Sequence, residues 1–362
     1  MELTIKKVNL PKKTRIICIS DIHGNYDGLI NLLKNIGYRH KDILFILGDS
    51  IEKGPNSLEV IHFLMMLEKH NKVYFVKGNC DAILERDFND DHKVKVMYRY
   101  LCAAKHSIWH EFFSKLQVEI NDVEDFRNII PTIFKLFKKE IDFLNSMPVI
   151  IDTDKFTFVH AGLQTSKLED NDIKFCMKND AYLKHDSSFE KYVVVGHWPN
   201  SNYGDKLCCC NPIVDEIHKK IAIDGGNQVK TEGQLNAFII SGIEGMHFSY
   251  KSYEDTPMLT ITNNQKESTN PFSIKWGDNE VEVIKSNGKI CEVRHLRTGY
   301  IFTFPTKKIY QENNKWYCHD YTNYFPNLKK GEKVYVYKQV QNYYLIKKDG
   351  LIGWYKKEEE HK

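Results

Sequence analysis

The sequence predicts an α/β fold followed by a smaller all-β region. Short aliphatic and β-branched runs alternate with segments whose apolar residues recur at helical spacing, as in domains built on a largely parallel sheet. Beyond residue 277, helical periodicity gives way to short alternating runs separated by turn residues. The candidate strands of the α/β part cover residues 15–20, 43–47, 73–76, 149–151, 156–160, 192–195, 221–223 and 237–240.

The N-terminal segment predicts a strand–helix–strand unit. Residues 15–20 (RIICIS) form the first candidate strand and residues 43–47 (ILFIL) the second. Between them, residues 26–36 carry leucines and isoleucines at helical spacing, and Gly37 is a typical helix stop. Both strands therefore end at the same edge of a parallel sheet.

A second helix and a helical insertion follow. Asn56 and Glu59 resemble a capping box that opens a helix, and residues 73–76 (VYFV) form the next strand. Residues 82–147 are rich in Phe, Leu, Lys and Glu, lack strand-like alternation and contain a single proline, Pro131. We expect these residues to form a helical cap beside the functional site.

Polar residues follow the candidate strands in six short stretches: SDIHG, GDSIEKG, GNCD, VHAG, GHW and IDGG. In an open α/β sheet, ligands bind just beyond the carboxyl ends of the strands. A mixed set of oxygen and imidazole donors suits divalent Mn, Fe or Zn. The first five stretches offer six such donors: Asp21, His23, Asp49, Asn79, His160 and His197.

The ordered series DIHGN, GDSIEKGP, GNCD, HAG and GHWP resembles the calcineurin-like metallophosphoesterases. Within them it is most similar to the bacterial phosphoprotein phosphatase branch, which contains serine/threonine phosphatase-like enzymes. The resemblance covers residues 14–241. It implies a two-sheet sandwich of mixed sheets flanked by helices, in which two divalent cations share a bridging carboxylate and a bridging water attacks phosphorus.

The resemblance also implies a role for each donor. Asp21 and His23 would hold the first cation, Asp49 would bridge, and Asn79, His160 and His197 would complete the second. The cations would be Mn, Fe or Zn, and we expect Mn to serve in vitro. Asp224, in IDGG, is expected to hydrogen-bond the loop that holds His197.

Several positions near the phosphate depart from the family pattern. Glu52 and Lys53 stand where the branch has Asp and Arg, and Cys80 and Asp81 stand where it has His and Glu. By resemblance, Glu52, Lys53 and Cys80 join Asp49 as catalytic candidates. A thiol is a poorer general acid than imidazole, and lysine lacks the planar fork of arginine. Lys178 is a second candidate for gripping phosphate; its alternative is a solvated lysine.

Three functions remain open. The first is a metal-dependent phosphatase that hydrolyses phosphomonoesters, including phosphoserine and phosphothreonine in proteins. The second uses the same site on a dinucleoside polyphosphate or phosphodiester, which Cys80 favours because a better leaving group needs less acid assistance. The third is a metal-binding protein whose catalysis has lapsed and which acts through its C-terminal module.

We expect a catalytic domain over residues 1–250, a linker over 251–277 and a β-rich region over 278–362. The linker prediction rests on dense Ser, Thr, Asn and Pro. The aromatic-rich stretch near the end is similar to bacterial SH3-like barrels, which bind peptides, glycans or their own catalytic domain. The alternative is that its aromatic residues fill a small core.

Composition limits the remaining classes of function. The net charge of +3 over 362 residues gives no indication of a nucleic-acid-binding face. No run of 18 apolar residues and no signal-like N-terminal stretch occurs, so we expect a cytoplasmic protein that does not enter a membrane. Nine cysteines without a paired spacing indicate a reducing compartment, and Cys208–Cys210 are expected to form a plain loop or strand.

Overall fold

The computed structural model describes residues 2–358, which form two compact units. The first contains the residues up to Asn200 together with Asn211–Asp255. The second contains Ser201–Cys210 and the residues from Thr256 onward. The short segment Ser201–Cys210 therefore leaves the first unit and joins a sheet of the second, which the sequence did not indicate.

The strands are β1 (Ile5–Lys7), β2 (Arg15–Ile19), β3 (Ile43–Leu47), β4 (Lys72–Val76), β5 (Ile150–Asp152), β6 (Phe156–Val159), β7 (Tyr192–Val195), β8 (Cys208–Cys209), β9 (Ile213–Asp215), β10 (Lys220–Ala222), β11 (Leu235–Ser241), β12 (His247–Tyr253), β13 (Met258–Thr260), β14 (Ser273–Ile274), β15 (Glu280–Ser286), β16 (Ile290–His295), β17 (Ile301–Pro305), β18 (Ile309–Glu312), β19 (Lys315–Cys318), β20 (Tyr321–Thr322), β21 (Lys333–Val340), β22 (Tyr343–Lys348) and β23 (Leu351–Lys356). The α-helices are α1 (Tyr26–Asn35), α2 (Ser57–His70), α3 (Asp91–Ala103), α4 (Ile108–Leu116), α5 (Val123–Leu136), α6 (Lys138–Asn145) and α7 (Ile173–Met177). Short 3-10 helices lie at Asp81–Glu85, Leu168–Asp170, Tyr182–Lys184, Asn200–Asn202 and Thr306–Lys308.

Two mixed sheets form the first unit. One has the strand order β1-β5-β6-β7-β10-β9 and the other β12-β11-β2-β3-β4. Strands β2, β3 and β4 run parallel to one another, as do β6, β7 and β10. The pair of mixed sheets with flanking helices confirms the α/β architecture predicted from the sequence.

The central strands are buried on both faces. In β2, Ile16 and Cys18 belong to the apolar cluster that includes residues of both sheets, whereas Ile17 and Ile19 belong to the cluster formed with the helices. The rings of Phe45 in one sheet and Phe158 in the other stack at a centroid distance of 3.9 Å. Burial on both sides explains why these strands appear as continuous apolar runs.

Helix α2 begins differently from the prediction. The side chain of Asn56 makes no capping hydrogen bond, so the predicted capping box is wrong. The carboxylate of Glu111, in α4, instead accepts hydrogen bonds from Ser57 N at 2.6 Å and Leu58 N at 2.8 Å. A carboxylate can cap a helix from another element because it satisfies free N–H groups and complements the helix dipole.

Residues 82–147 form helices α3 to α6, as their composition predicts, with Pro131 inside α5. Aromatic packing holds this insertion together. The indole of Trp109 is fully buried and contacts Phe88, Phe112 and Phe126 edge-on. The insertion shares the apolar cluster of α1 and α2, so it packs as part of the first unit.

The second unit contains strands where the sequence predicts a linker. Strands β13 and β14 lie within residues 251–277 and pair with β21 and β20. Its larger sheets have the orders β13-β21-β22-β23-β8 and β17-β16-β15-β19-β18. The β18–β19 hairpin was also missed, although Asn313 and Asn314, with φ of 48° and 63°, form a turn typical of hairpins.

The aromatic residues near the C-terminus are divided between core and surface. Tyr355 is fully buried, whereas Trp354 and Tyr343 are half-buried. An SH3-like classification of this region, and a peptide or glycan ligand for it, stay predictions. Cys208 and Cys209 form the short strand β8, in line with the expectation of a plain loop or strand there. Within residues 2–358, no helix has both the length and the apolar character needed to cross a bilayer.

We expect Glu111→Ala to lower the free energy of unfolding by about 1–2 kcal/mol, because two N–H groups at the start of α2 lose their capping partner. Urea unfolding followed by circular dichroism measures the change. Glu59→Ala is the matched control, since Glu59 is an exposed acidic residue in the first turn of the same helix. Equal effects of the two substitutions would contradict the capping role of Glu111.

Candidate metal centre

Five strands from both sheets direct the candidate ligands to one place. Asp21, Asp49 and Asn79 follow β2, β3 and β4, while His160 and His197 follow β6 and β7. Two clusters of donor atoms, each within 4.8 Å, bring four of the six candidates and Cys80 together: His23 with Asp49 and Cys80, and Asp49 with His160 and His197. Asp49 belongs to both clusters.

Several ligand-bearing loops adopt an unfavourable backbone conformation. The φ angles are 54° at Asp21, 49° at His23, 51° at Asp49 and 66° at His197, all in the left-handed region. Non-glycine residues seldom occupy this region, and such strain concentrates at functional sites. The contacts of the surrounding loops must offset the cost of turning each side chain inward.

Two glycines of the sequence motifs permit these loops to approach one another. A Cβ atom on Gly78 would lie 2.3 Å from Asp49 N, and one on Gly196 would lie 2.3 Å from Asp21 Oδ2. Both distances are shorter than any tolerable contact. The glycines in GNCD and GHW are therefore required by the packing of one ligand loop against another.

Asp81 and Asn227 hold the ligand loops in position, and the sequence did not identify either role. The buried carboxylate of Asp81 accepts hydrogen bonds at 2.9 Å from the backbone N–H groups of Asp49, Ser50 and Gly78. The side chain of Asn227 donates to the carbonyl of Asp21 at 3.1 Å. The sequence does contain a signal for Asp81: its carboxylate comes three residues after Gly78, a spacing at which it can accept a hydrogen bond from the N–H group of that glycine.

The two oxygens of Asp49 face different histidines. Oδ2 lies 3.9 Å from His23 Nε2, which is also 3.8 Å from Asp21 Oδ1. Oδ1 lies 3.4 Å from His160 Nε2 and accepts a hydrogen bond from Cys80 N at 2.7 Å. Two ligands of one cation, each about 2.1 Å from it, stand roughly 3.0–3.5 Å apart. The 3.4 Å separation on the His160 side lies within this range, and the 3.8 and 3.9 Å separations on the His23 side are longer.

Backbone carbonyls orient two of the histidines. Nδ1 of His160 donates to Leu47 O at 2.7 Å, and Nδ1 of His23 donates to Ile51 O at 3.2 Å. When the ring is neutral, each bond places the proton on Nδ1 and leaves the Nε2 lone pair facing Asp49, the usual arrangement behind a metal-ligating imidazole. Nε2 of His160 is buried and faces Asp49 Oδ1 at 3.4 Å, a position that fits a cation ligand.

Asn79 and His197 form the other part of the second cluster. One end of the Asn79 amide lies 3.0 Å from His197 Nδ1. With nitrogen at that end, the amide donates to the imidazole; with oxygen there, it either accepts from an Nδ1–H group or shares a cation with the Nδ1 lone pair. The donor set therefore fits a metal ion between Asn79, His160, His197 and Asp49.

Burial and mutual charge shape the ionisation of the cluster. Burial is the largest influence on Asp21 and raises its pKa to about 7, against the lowering effect of His160. Burial acts upward on Asp49 also, but the histidines, His160 first, outweigh it and hold its pKa below the usual range. Although burial opposes it, Asp49 raises the pKa of His160 to about 10. A proton on His160 thus occupies the place that a cation would take.

Cys80, a member of the first cluster, is a neutral thiol. Its burial, and then the charge of Asp49, raise the pKa of the thiol well above its usual value. A thiol that holds its proton this strongly is a poor proton donor and a poor metal ligand.

Glu52 is buried and bonded to the helical insertion. Its carboxylate accepts hydrogen bonds from Tyr100 Oη at 2.6 Å and from Ser107 Oγ and Ile108 N at 2.8 Å. The insertion residues, and not Cys80, are thus its hydrogen-bond partners among the described residues. The Glu52 carboxylate caps the start of α4.

The two candidate phosphate-binding lysines are both exposed. The Nζ atom of Lys53 lies 5.6 Å from the ring centroid of Tyr100. Lys178 is near His197: burial first, then His160, and also the charge of Lys178, lower the pKa of His197 to about 3. The charge of Lys178 therefore acts on His197, a member of the second cluster.

Asp224 contacts the His197 loop through its backbone. Its carbonyl accepts a hydrogen bond from Asn200 N at 2.8 Å, whereas its carboxylate accepts from Gly226 N at 2.7 Å. The predicted bond to the loop is present, but the main chain makes it, and the carboxylate stabilises its own turn.

The calcineurin-like phosphoesterase family model matches residues 14–224. The chain therefore belongs to the calcineurin-like phosphoesterase family, as the motifs predict. It is 28% identical to an asymmetrical bis(5'-nucleosyl)-tetraphosphatase of Halalkalibacterium halodurans, over 40% of this chain and 56% of that protein. It is 29% identical to a symmetrical bis(5'-nucleosyl)-tetraphosphatase of an Enterobacter species, over 45% of this chain and 51% of that protein.

The chain spans about half of the length of these two curated relatives. A solved serine/threonine phosphatase from Saccharomyces cerevisiae, with similarity to human phosphatase PP5, is 12% identical and has a TM-score of 0.43, over 72% of this chain and 86% of that one. A similarity this low does not bear on the substrate.

We expect the affinity for Mn²⁺ to rise with pH, because the cation displaces protons from Asp21 and His160. Below the raised pKa of Asp21, about 7, both groups hold protons, and above it only His160 does. Calorimetry in buffers of different ionisation enthalpy should show about two protons released near pH 6 and about one near pH 8.

His62→Gln is the control for this measurement, since His62 pairs with Glu140 away from the cluster. It should leave proton release unchanged. An Mn²⁺ affinity that does not vary between these pH values would show that protons do not compete for the site.

Proposed function

We propose that this chain is a dinuclear-metal-dependent hydrolase of phosphoric esters. The observation that carries the proposal is the buried carboxylate of Asp49, whose two oxygens face separate histidine-containing clusters. A bridging carboxylate between two cations is the arrangement used for in-line displacement at phosphorus. Membership of the phosphoesterase family supports the same reaction.

The residues divide into two ligand sets around Asp49. Asp21 and His23 would hold one cation, and Asn79, His160 and His197 the other. This set of oxygen and imidazole donors suits Mn, Fe or Zn. When bound, such ions acidify water and neutralise charge on phosphoryl oxygens.

Phosphomonoesters, including phosphoserine and phosphothreonine, are the first substrate class that we propose. Lys53 and Lys178 are exposed and carry positive charge beside the ligand loops. Two ammonium groups suit the dianionic phosphoryl group of a monoester, which carries more charge than a diester. Each lysine would contact phosphoryl oxygens as a point charge.

A dinucleoside polyphosphate is the second substrate class. Cys80 favours it, because a thiol with a raised pKa protonates a leaving group poorly and a nucleotide departs as a stable phosphate anion. The curated relatives named above are bis(5'-nucleosyl)-tetraphosphatases, which supports this alternative without deciding it.

Asp49→Asn should lower kcat for p-nitrophenyl phosphate in Mn²⁺ by about a thousandfold or more. The substitution keeps the size of the side chain but removes the charge shared by both ligand sets, a loss of roughly 4 kcal/mol. Steady-state kinetics with measured metal content tests this. Asp180→Asn, at an exposed acidic residue 3.9 Å from His197, is the control and should retain most activity. Full turnover in Asp49→Asn would remove the bridging role.

The rate should depend strongly on the leaving group. We expect kcat/KM to fall steeply from p-nitrophenyl phosphate to phosphoserine peptides, because Cys80 gives little protonation. Cys80→His should lessen that fall, and Cys80→Ser should not. A panel that also contains bis-p-nitrophenyl phosphate and diadenosine tetraphosphate separates the two substrate classes. Inactivity towards every member of the panel would contradict both.

A further inference from the structure

Tyr100, in helix α3 of the insertion, contacts two consecutive residues of the GDSIEKG loop. Its hydroxyl donates to Glu52 Oε2 at 2.6 Å, and its ring centroid lies 5.6 Å from Lys53 Nζ. The second distance is within the range of a cation–π interaction. A single side chain therefore reaches both the buried acidic residue and the exposed basic residue of this loop.

The loop needs external support because its backbone is strained. Glu52 and Lys53 have φ angles of 70° and 69°, so two adjacent non-glycine residues adopt the left-handed conformation. Such a conformation persists only where surrounding contacts fix it. The insertion supplies these contacts to Glu52 through Tyr100, Ser107 and Ile108.

Lys53 benefits from the same support. A lysine side chain has four rotatable carbon–carbon bonds and, unlike arginine, no rigid fork that fixes the direction of its charge. On an exposed loop it loses considerable rotamer freedom when it grips a ligand. The ring of Tyr100 restricts the ammonium group before the ligand arrives.

We infer that Tyr100 is a positioning residue that acts through Lys53 to set the affinity of the site for phosphoryl oxygens. The inference rests on the proposed function, in which Lys53 contacts the phosphoryl group. It assigns the helical insertion a role in substrate binding that is distinct from metal binding. Tyr100 itself touches neither the substrate nor the ligands of the cations.

The test compares single and double variants of the full Mn²⁺-loaded chain. Binding of inorganic phosphate is measured by calorimetry, and KM and kcat are measured with p-nitrophenyl phosphate. Tyr100→Leu should weaken phosphate binding and raise KM by about threefold to tenfold, with kcat changed by less than about twofold. In the Lys53→Met background, the same substitution should have no further effect on phosphate affinity.

Tyr98→Phe is the matched control for Tyr100→Phe. Tyr98 lies in the same helix, and its hydroxyl donates to Asn121 O at 2.8 Å, away from the loop. Tyr98→Phe should leave phosphate affinity unchanged. Tyr100→Phe keeps the ring and removes the bond to Glu52, so its effect should be smaller than that of Tyr100→Leu but should also vanish in the Lys53→Met background.

The outcomes separate this inference from the proposed function. No change in phosphate affinity in Tyr100→Leu, or equal losses with and without Lys53, would overturn the inference and leave metal-dependent hydrolysis intact. Unchanged phosphate affinity in Lys53→Met would remove both the phosphate role of Lys53 and the inference. If circular dichroism shows that Tyr100→Leu does not fold, Tyr100→Phe is compared with and without Lys53→Met in the same way. The metal content of each variant is measured, so that loss of the cations is excluded as the cause.

Discussion

The shared carboxylate of Asp49 is the constraint on which the rest of the site depends. Its two oxygens face opposite histidines in a buried, low-dielectric region, where an uncompensated charge is costly. Asp21 and Asp81 add further carboxyl groups to the same region, and burial raises the pKa of both. A concentration of acidic groups this deep is stabilised either by protons, as the raised pKa values of Asp21 and Asp81 indicate, or by positive charge, which divalent cations would supply.

The fold meets this constraint by directing strands of two sheets to a common edge. Strands buried on both faces give rigid supports, and the turns after them carry the ligands. The turns are strained, and glycines at their first positions let them pack closely. Stability is therefore concentrated in the sheets while strain is concentrated in the loops, a division typical of sites that must hold several side chains in fixed geometry.

Much of this could be predicted from the sequence because the information is local. A β-branched run followed by Asp or His marks both the strand and the candidate ligand, as at Asp21 and His160. The partners of Glu52 could not be predicted, since Tyr100 and Ser107 are brought to it by tertiary packing of the insertion. The predicted cap of α2 was wrong for the same reason. Asn56 is the local capping candidate, but the carboxylate of Glu111, which is distant in sequence, makes the capping hydrogen bonds. In the second unit, short strands such as β13 and β14 lacked an apolar pattern because their pairing, and not their side chains, defines them.

The insertion and the motif loop exchange helix caps: Glu52, which precedes α2, caps α4, and Glu111, within α4, caps α2. Each helix start thus includes a carboxylate from the other side, which at α4 adds to the local cap made by Ser107. The insertion is consequently not an interchangeable accessory of the catalytic scaffold. If a different helical insertion replaced this one, it would need its own acidic side chain for the start of α2 and its own donors for Glu52, or the GDSIEKG loop would lose its shape.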